Sequence, residues 1–127
     1  ADIYITEIDK ARLRSLVEVE QDSGIFELEH EIERAIVVEP WNVAQDVVTM
    51  NSKALLKVDD EELEVALVYP EDADDRAGKL SVSSGIGTAI LGYKAGDTFS
   101  WRIPDRTCHI RIEKVLYQPE AAGDFHL

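Results

Sequence analysis

The spacing of apolar residues changes at Pro40 and Trp41, and this change constrains the fold more than any other feature of the chain. Before it, apolar residues recur every three to four positions, which is the period of an amphipathic helix. After it, short runs alternate between apolar and polar residues, which is the period of a half-buried strand. The sequence therefore predicts an α+β chain, with helices in its first third and a sheet in the remainder.

Two helices are predicted before Pro40. Thr6 is suited to cap the first helix, with Asp9 as its acidic third position, and the turn sequence Asp22-Ser23-Gly24 ends it. The second helix opens near Ile25 and runs to Pro40, whose ring excludes the preceding helical turn. Its apolar stripe comprises Ile25, Leu28, Ile32, Ala35 and Ile36. The short connection predicts an antiparallel helical hairpin on the order of 20 Å long, at about 1.5 Å per residue.

The rest of the chain is predicted to form a small antiparallel sheet with one helix packed on it. Ser84 is suited to cap that helix and Gly92 to end it. The last strand alternates Cys108, Ile110 and Ile112 with polar residues. The predicted strands cover residues 47–58, 63–69, 79–82, 98–103 and 107–117, and the helix covers 84–91. We therefore expect a helical hairpin over residues 1–45 and a sheet domain over residues 46–127.

The charge of the chain restricts its partners. Its 127 residues include 26 acidic and 13 basic side chains, for a formal net charge of −13. Nucleic-acid binding depends on Lys and Arg contacts to phosphates, so we expect no direct sequence-specific nucleic-acid binding. A basic protein surface is the partner that this charge favours. No apolar run is long enough for a membrane span, and residues 1–8 lack the apolar core of a signal peptide, so we expect a cytoplasmic protein without a membrane partner.

No catalytic or metal-binding motif is recognisable. Cys108 and His109 are neighbours on a predicted strand, so their side chains point to opposite faces and cannot act as a nucleophile and base. The three histidines are scattered, without the spacing of metal ligands. Ser84-Gly85-Ile86-Gly87 lacks the third glycine and the lysine of phosphate-binding loops. We therefore expect no enzyme activity, no metal and no cofactor.

Three segments carry a family resemblance. They are Asp46-Val47-Val48-Thr49-Met50-Asn51-Ser52, then Leu67-Val68-Tyr69-Pro70, and the C-terminal run over residues 116–124. Together they resemble the bacterial Rnk family, the regulators of nucleoside diphosphate kinase. Residues 80–92 with Gly96-Asp97 resemble the C-terminal domain of the Gre transcript-cleavage factors, which Rnk proteins share.

The resemblance implies an FKBP-like C-terminal domain after an N-terminal helical hairpin. It also implies binding to bacterial RNA polymerase near the mouth of its secondary channel, in competition with Gre factors. Gre factors carry acidic residues at the tip of a long coiled coil, where they help to hold a catalytic metal ion. The hairpin predicted here is too short to reach that position, so we expect a regulator that does not stimulate cleavage. The family name records a link to nucleoside diphosphate kinase levels and implies no kinase chemistry.

The resemblance also suggests where the polymerase would bind. The expected docking residues are Ser83, Ser84, Gly85 and Ile86, with Asp97 nearby. The hairpin tip carries Glu18, Glu20 and Asp22, which could contact a basic channel rim or serve only as solvated helix surface. Ile86 could equally pack its helix on the sheet. The family usually has proline where this chain has Gly85, and glycine does not preset the first helical turn as proline does.

Three other functions are compatible with the sequence. A true Gre-type cleavage and elongation factor would need a longer hairpin. An FKBP-like peptidyl-prolyl isomerase would need an aromatic-lined pocket, and that reading rests on analogy of fold. A protein-interaction module with a different partner, such as the kinase itself, is the third.

Overall fold

The computed structural model describes residues 3–19, 23–103 and 105–124, and its mixture of helices and strands confirms the predicted α+β class. Its helices are α1 (Glu7–Val19), α2 (Ser23–Arg34), α3 (Gly85–Ile90) and α4 (Pro119–Ala122). Its strands are β1 (Tyr4–Thr6), β2 (Ile36–Val38), β3 (Lys53–Val58), β4 (Glu61–Val68), β5 (Lys79–Ser81), β6 (Thr98–Ile103) and β7 (Arg106–Tyr117).

The main sheet has five strands in the order β5-β4-β3-β7-β6. Most neighbours are antiparallel, but β5 lies parallel to β4, so the prediction of a wholly antiparallel sheet was wrong. Parallel neighbours need a crossover connection, and two short 3-10 turns between β4 and β5 provide it. In β7 the side chains of Cys108, Ile110 and Ile112 are buried, as the alternation predicted.

A second, two-stranded sheet joins the two ends of the helix pair, and sequence analysis missed it. β1 and β2 run parallel, with Tyr4 opposite Ile36, and the Ile36 N–H donates to the Ile3 carbonyl over 2.9 Å. As a result α2 ends at Arg34, and the predicted extension to Pro40 was wrong. Three consecutive β-branched residues, from Ile36 to Val38, favour a strand once a partner strand is present.

The segment before β3 is a turn rather than the start of a strand. The prediction placed a strand from Val47, whereas β3 begins at Lys53 and Val47 makes a single bridge to Lys94. Asn51 adopts a positive φ of 65°, and the Ser52 N–H donates to the Thr49 carbonyl over 3.1 Å. Asparagine tolerates this left-handed conformation better than most side chains do, so it is well placed in the turn.

The helix pair and the main sheet share one hydrophobic core. Leu28 of α2 is fully buried, and it belongs to the same cluster as Leu56 of β3 and Ile90 of α3. The other buried members include Ile5, Leu13, Ile25, Ile32, Val48, Met50, Leu67, Leu91 and Ile112. Because isolated helices of 13 and 12 residues are marginally stable in water, α1 and α2 depend on this shared core.

Truncating Leu28 to alanine should therefore destabilise the whole chain, not only the helices. We expect Leu28→Ala to lower the free energy of unfolding by about 2–5 kcal/mol, the range for buried leucines. Leu63→Ala is the matched control, because Leu63 is 46% exposed, and we expect a loss below about 1 kcal/mol. Urea unfolding followed by far-ultraviolet circular dichroism and by tryptophan fluorescence should give one coincident transition. Separate transitions for helix and sheet would contradict the shared core.

Candidate functional site

The start of α3, where docking was predicted, is a tightly hydrogen-bonded turn. Ser84 caps the helix: its Oγ accepts from the Gly87 N–H over 3.2 Å and donates to the Ser81 carbonyl over 2.6 Å. The hydroxyls of Ser83 and Ser81 are 2.9 Å apart and share a hydrogen bond. The hydroxyl of Thr88 donates to the Val82 carbonyl over 2.7 Å. These serine hydroxyls therefore hold the shape of the turn, and this structural role is independent of any role in docking.

Gly87 is required at this turn by close packing. A Cβ atom at Gly87 would lie 2.0 Å from the carbonyl oxygen of Ser81, which is backbone and cannot move aside. Ile86 is half-buried and packs against the hydrophobic core, as the structural interpretation of that residue predicted. Ser83, Ser84 and Gly85 are also only half-buried, so the docking prediction concerns a surface that the fold leaves accessible.

Asp97 lies in a different part of the fold from the start of α3. Its Oδ2 accepts from the Lys94 N–H over 3.0 Å, and its carbonyl accepts from the Ile112 N–H over 3.0 Å. Asp97 immediately precedes β6, whereas Ser83 follows β5, and these are the two opposite edge strands of the sheet. Asp97 thus holds a turn beside β7, and its contribution to docking stays a prediction.

Of the predicted tip residues, only Glu18 lies within the described residues, and Glu20 and Asp22 lie outside them. Glu18 is exposed near the end of α1. It borders a groove of about 250 Å³ between α1 and α2. The lining residues are Arg14, Val17, Glu18, Glu29, Ile32 and Glu33, so an apolar floor is flanked mainly by carboxylates.

A buried polar cluster joins α1 to the sheet, and sequence analysis did not find it. Asp9 is 1% exposed although it is an acid. Its Oδ2 accepts from the Met50 N–H over 3.1 Å, and its own N–H donates to the Thr6 hydroxyl over 3.1 Å. The second bond confirms Thr6 as the predicted cap of α1. The first one ties the base of the helix to the turn before β3.

The C-terminal segment secures the other side of the same turn. The hydroxyl of Thr49 donates to Oε1 of Glu120 over 2.6 Å. The Nε2 of Gln118 donates to the carbonyls of Ala44 and Val47 over 2.7 and 2.8 Å. Both ends of these bonds fall in segments that carry the family resemblance, 46–52 and 116–124, or directly beside them. The resemblance marked both segments as distinctive in the sequence, but only the fold shows that they contact one another.

The environment of Asp9 changes its acidity. Burial raises the pKa of Asp9 from 3.8 to about 7; the Met50 hydrogen bond opposes this, Glu120 adds to it and Arg12 opposes it. Burial also raises the pKa of Tyr69, and the neighbouring carboxylate of Asp9 raises it further. Ionisable groups from three elements thus surround the place where α1 meets the turn before β3. They are Asp9 and Arg12 of α1, Tyr69 directly after β4, and Glu120 of α4.

Neither a metal centre nor a membrane span is found in the part of the chain that the structure describes. Across residues 3–19, 23–103 and 105–124, no three His, Cys, Asp or Glu side chains are grouped so that they could hold a metal ion. No helix formed by these residues combines the length and the apolar character needed to cross a bilayer.

Comparison with known proteins gives the family. Residues 2–38 match the family model of the Rnk N-terminus, and residues 43–117 match the C-terminal domain of the transcription elongation factors GreA and GreB. The Regulator of nucleoside diphosphate kinase of Escherichia coli strain K12 is 37% identical over 131 residues, which cover 98% of this chain and 96% of that protein. This chain belongs to the Rnk family.

The relationship of this Rnk-family chain to Gre factors extends to structure. Transcription elongation factor GreA of Thermodesulfovibrio yellowstonii is 31% identical over 99 residues, covering 76% of this chain and 63% of that protein. A solved structure titled as a prokaryotic transcription elongation factor GreA/GreB from Nitrosomonas europaea is 38% identical with a TM-score of 0.79, covering 92% of this chain and 99% of that one. The chain is accordingly a transcription-associated regulator with the fold of these relatives.

Replacing Asp9 with asparagine should flatten the dependence of stability on pH. The folded pKa of about 7 lies above the ordinary value of 3.8 for this carboxyl group, so the folded state holds the proton more tightly. The contribution of Asp9 to stability is therefore fully present below about pH 4 and is lost as the pH rises through about 7. We expect Asp9→Asn, which is neutral throughout, to be more stable than the native chain at pH 8 by roughly 1–4 kcal/mol.

The measurement is the urea midpoint between pH 4 and pH 8. Asp60→Asn, at an exposed turn, serves as the control and should keep the native slope. If the urea midpoints of Asp9→Asn and the native chain changed with pH in the same way, the raised pKa of Asp9 would be contradicted.

Two glycines of α3 should respond in opposite ways to substitution. Gly85 is the first residue of α3, and the preceding Ser84 already has the extended conformation that suits a residue before proline. We expect Gly85→Pro to raise stability by about 0.4–1 kcal/mol through a less flexible unfolded chain. Gly87→Ala should lower it by more than about 2 kcal/mol, because its Cβ meets the Ser81 carbonyl. Thermal unfolding of both variants tests the geometry, and a tolerated Gly87→Ala would show that it is wrong.

Proposed function

We propose that this Rnk-family chain binds bacterial RNA polymerase near the mouth of its secondary channel, competes there with Gre factors, and does not stimulate transcript cleavage. The proposal rests on the shared GreA/GreB C-terminal domain and on the 0.79 TM-score to a GreA/GreB structure. The single observation that carries the absence of cleavage is the length of the helix pair. A polymerase-binding regulator of this kind would be non-enzymatic and cytoplasmic.

The helix pair forms a short arm in this proposal. α1 has 13 residues and α2 has 12, so each extends about 20 Å or less at 1.5 Å per residue. The strand that leads into α1 pairs with the strand that leads out of α2, which supports an antiparallel hairpin. We assign residues 1–45 to this arm and residues 46–127 to an FKBP-like body.

The arm has a fixed base, which limits where its tip can go. The Asp9–Met50 hydrogen bond, the β1–β2 pairing and the shared core all lie where the arm meets the body. A stiff arm of about 20 Å can occupy an entrance but cannot span the distance covered by the longer coiled coil of Gre factors. The acidic residues near its tip, including Glu18, would then meet a basic channel rim instead of a catalytic metal ion.

The body supplies the docking surface in this proposal. Its residues are Ser83, Ser84, Gly85 and Ile86 at the start of α3, with Asp97 as a second contact beside the opposite edge strand. The half-buried turn before α3 is rigid because its hydroxyls are internally bonded, so little conformational freedom would be lost on docking.

Binding is tested by co-elution of the purified chain with core RNA polymerase, followed by displacement with a Gre factor. We expect a complex that Gre displaces, and an affinity reduced at least about tenfold by Ser83→Arg, because a bulky side chain would separate the surfaces. Thr107→Arg is the matched control, since Thr107 is exposed and lies at the other end of the β6–β7 hairpin from Asp97. Failure to co-elute, or equal effects of both variants, would contradict the proposed docking surface.

Cleavage is tested on stalled elongation complexes at a concentration of this chain that saturates the polymerase. We expect cleavage at the background rate, while a Gre factor added alone accelerates it. Adding this chain together with the Gre factor should suppress that acceleration by competition. Robust cleavage by this chain alone would overturn the proposal and indicate a Gre-type factor.

A further inference from the structure

Strand β2 of the small parallel sheet consists of apolar residues, and two of them are exposed. Ile36 is 41% exposed, Val37 is 36% exposed, and Trp41, which follows on a 3-10 turn, is 69% exposed. Parallel strands are normally covered on both faces, and two-stranded sheets are marginal on their own. We call residues 36–41 the β2 edge. Its exposed apolar side chains, those of Ile36, Val37 and Trp41, are only partly covered by the rest of the described chain.

The β2 edge also offers backbone hydrogen bonds. Within residues 3–19, 23–103 and 105–124, β1 is the only strand that pairs with β2. The N–H of Ile36 points to β1, where it donates to Ile3. Alternate residues of a strand direct their N–H and C=O groups to opposite sides, so those of Val37 point outwards. An exposed edge of this kind is a template for adding another strand.

The charges around the β2 edge select the partner. Glu7 follows β1 and Glu39 follows β2, so the parallel register sets them side by side. The carboxyl group of Glu39 forms a hydrogen bond with that of Glu7, which raises the pKa of Glu39. Two exposed carboxylates set side by side would bind a lysine or arginine inserted between them. A second copy of this chain would bring the same carboxylates and a further charge of −13, so electrostatics disfavour it.

From these observations we propose that the β2 edge binds a basic, extended segment of a partner protein, which adds as a third strand beside Val37 and places a cationic side chain between Glu7 and Glu39. Strand addition would supply the backbone hydrogen bonds, and the exposed Ile36 and Trp41 would supply the apolar contact. This surface is distinct from the start of α3, and it does not depend on polymerase binding.

The probe is a short synthetic peptide that alternates valine with lysine. Matched peptides alternate valine with glutamate and valine with serine. Titration of the 15N-labelled full chain at low salt should give saturable shifts centred on the Val37 amide. In a Trp101→Phe background, the emission of Trp41 should change over the same concentration range. Moderate salt should weaken the binding, because exposed charges are screened.

Variants separate strand addition from general attraction between opposite charges. Val37→Pro removes the outward N–H, and Val37→Lys adds a repulsive charge on an exposed side chain, so the second variant is informative even if the first one unfolds. We expect each folded variant to weaken binding at least about tenfold, and the paired change Glu7→Gln with Glu39→Gln to do the same. Leu63→Lys is the control for Val37→Lys, since Leu63 is 46% exposed, and it should bind as the native chain does.

Three results would overturn the proposal. The first is the absence of saturable shifts at Val37, and the second is equal binding of the lysine and glutamate peptides. The third is concentration-dependent dimerisation, measured by sedimentation and abolished by Val37→Lys, which would identify the occupant as a second copy of the chain. Loss of polymerase co-elution has no bearing on these measurements, so the two proposals fail independently.

Discussion

The hydrogen bond from the Met50 N–H to the buried carboxyl group of Asp9 is the contact on which the geometry of this protein depends. A helix pair of 13 and 12 residues is too short to be stable in water by itself, so its position is set where it meets the sheet. Asp9 lies at that junction, and Thr6 caps the helix one turn earlier. An acid can occupy this buried position because the backbone N–H compensates part of the cost of burial, and protonation removes most of the remainder.

The turn before β3 connects this junction to the C-terminal segment. Thr49 contacts Glu120, and Gln118 contacts the backbone at Ala44 and Val47, so α4 braces the turn that receives α1. The charge of Glu120 also contributes to the raised pKa of Asp9. The C-terminal segment, the turn before β3 and α1 therefore interact electrostatically as well as through hydrogen bonds. The C-terminal run therefore has a structural role, because its hydrogen bonds hold the turn to which Asp9 of α1 is bonded.

The length of the arm is informative because the contacts at its base restrain it. If the helix pair could pivot freely, its reach would say little about which part of a partner it could contact. Its shared core and its β1–β2 pairing restrain it, so in the proposed function its length of about 20 Å would also limit its reach. Because acidic groups are in excess, the arm would favour partner surfaces that are positively charged. Both proposed surfaces, the tip of the arm and the β2 edge, favour basic partners for the same electrostatic reason.

The sequence by itself determined the elements whose signals are local. Apolar periodicity located α1, and the cap residues Ser84 and Gly92 located α3. Alternation identified the buried face of β7, and Thr6 was recognisable as a cap because its partner is three residues away. The docking surface at residues 83–86 was predicted from the resemblance to Gre factors, and it stays a prediction.

Only the tertiary structure decided the rest, because those features depend on residues far apart in the chain. β1 and β2 have three residues each, too few for a periodic signal, and they form only because they pair with one another. The order of the strands separates Asp97 from Ser83, although only the short helix α3 and a turn lie between them in the sequence. The burial of Asp9 and the contact between Thr49 and Glu120, which are 71 residues apart, arise from packing that no local pattern encodes.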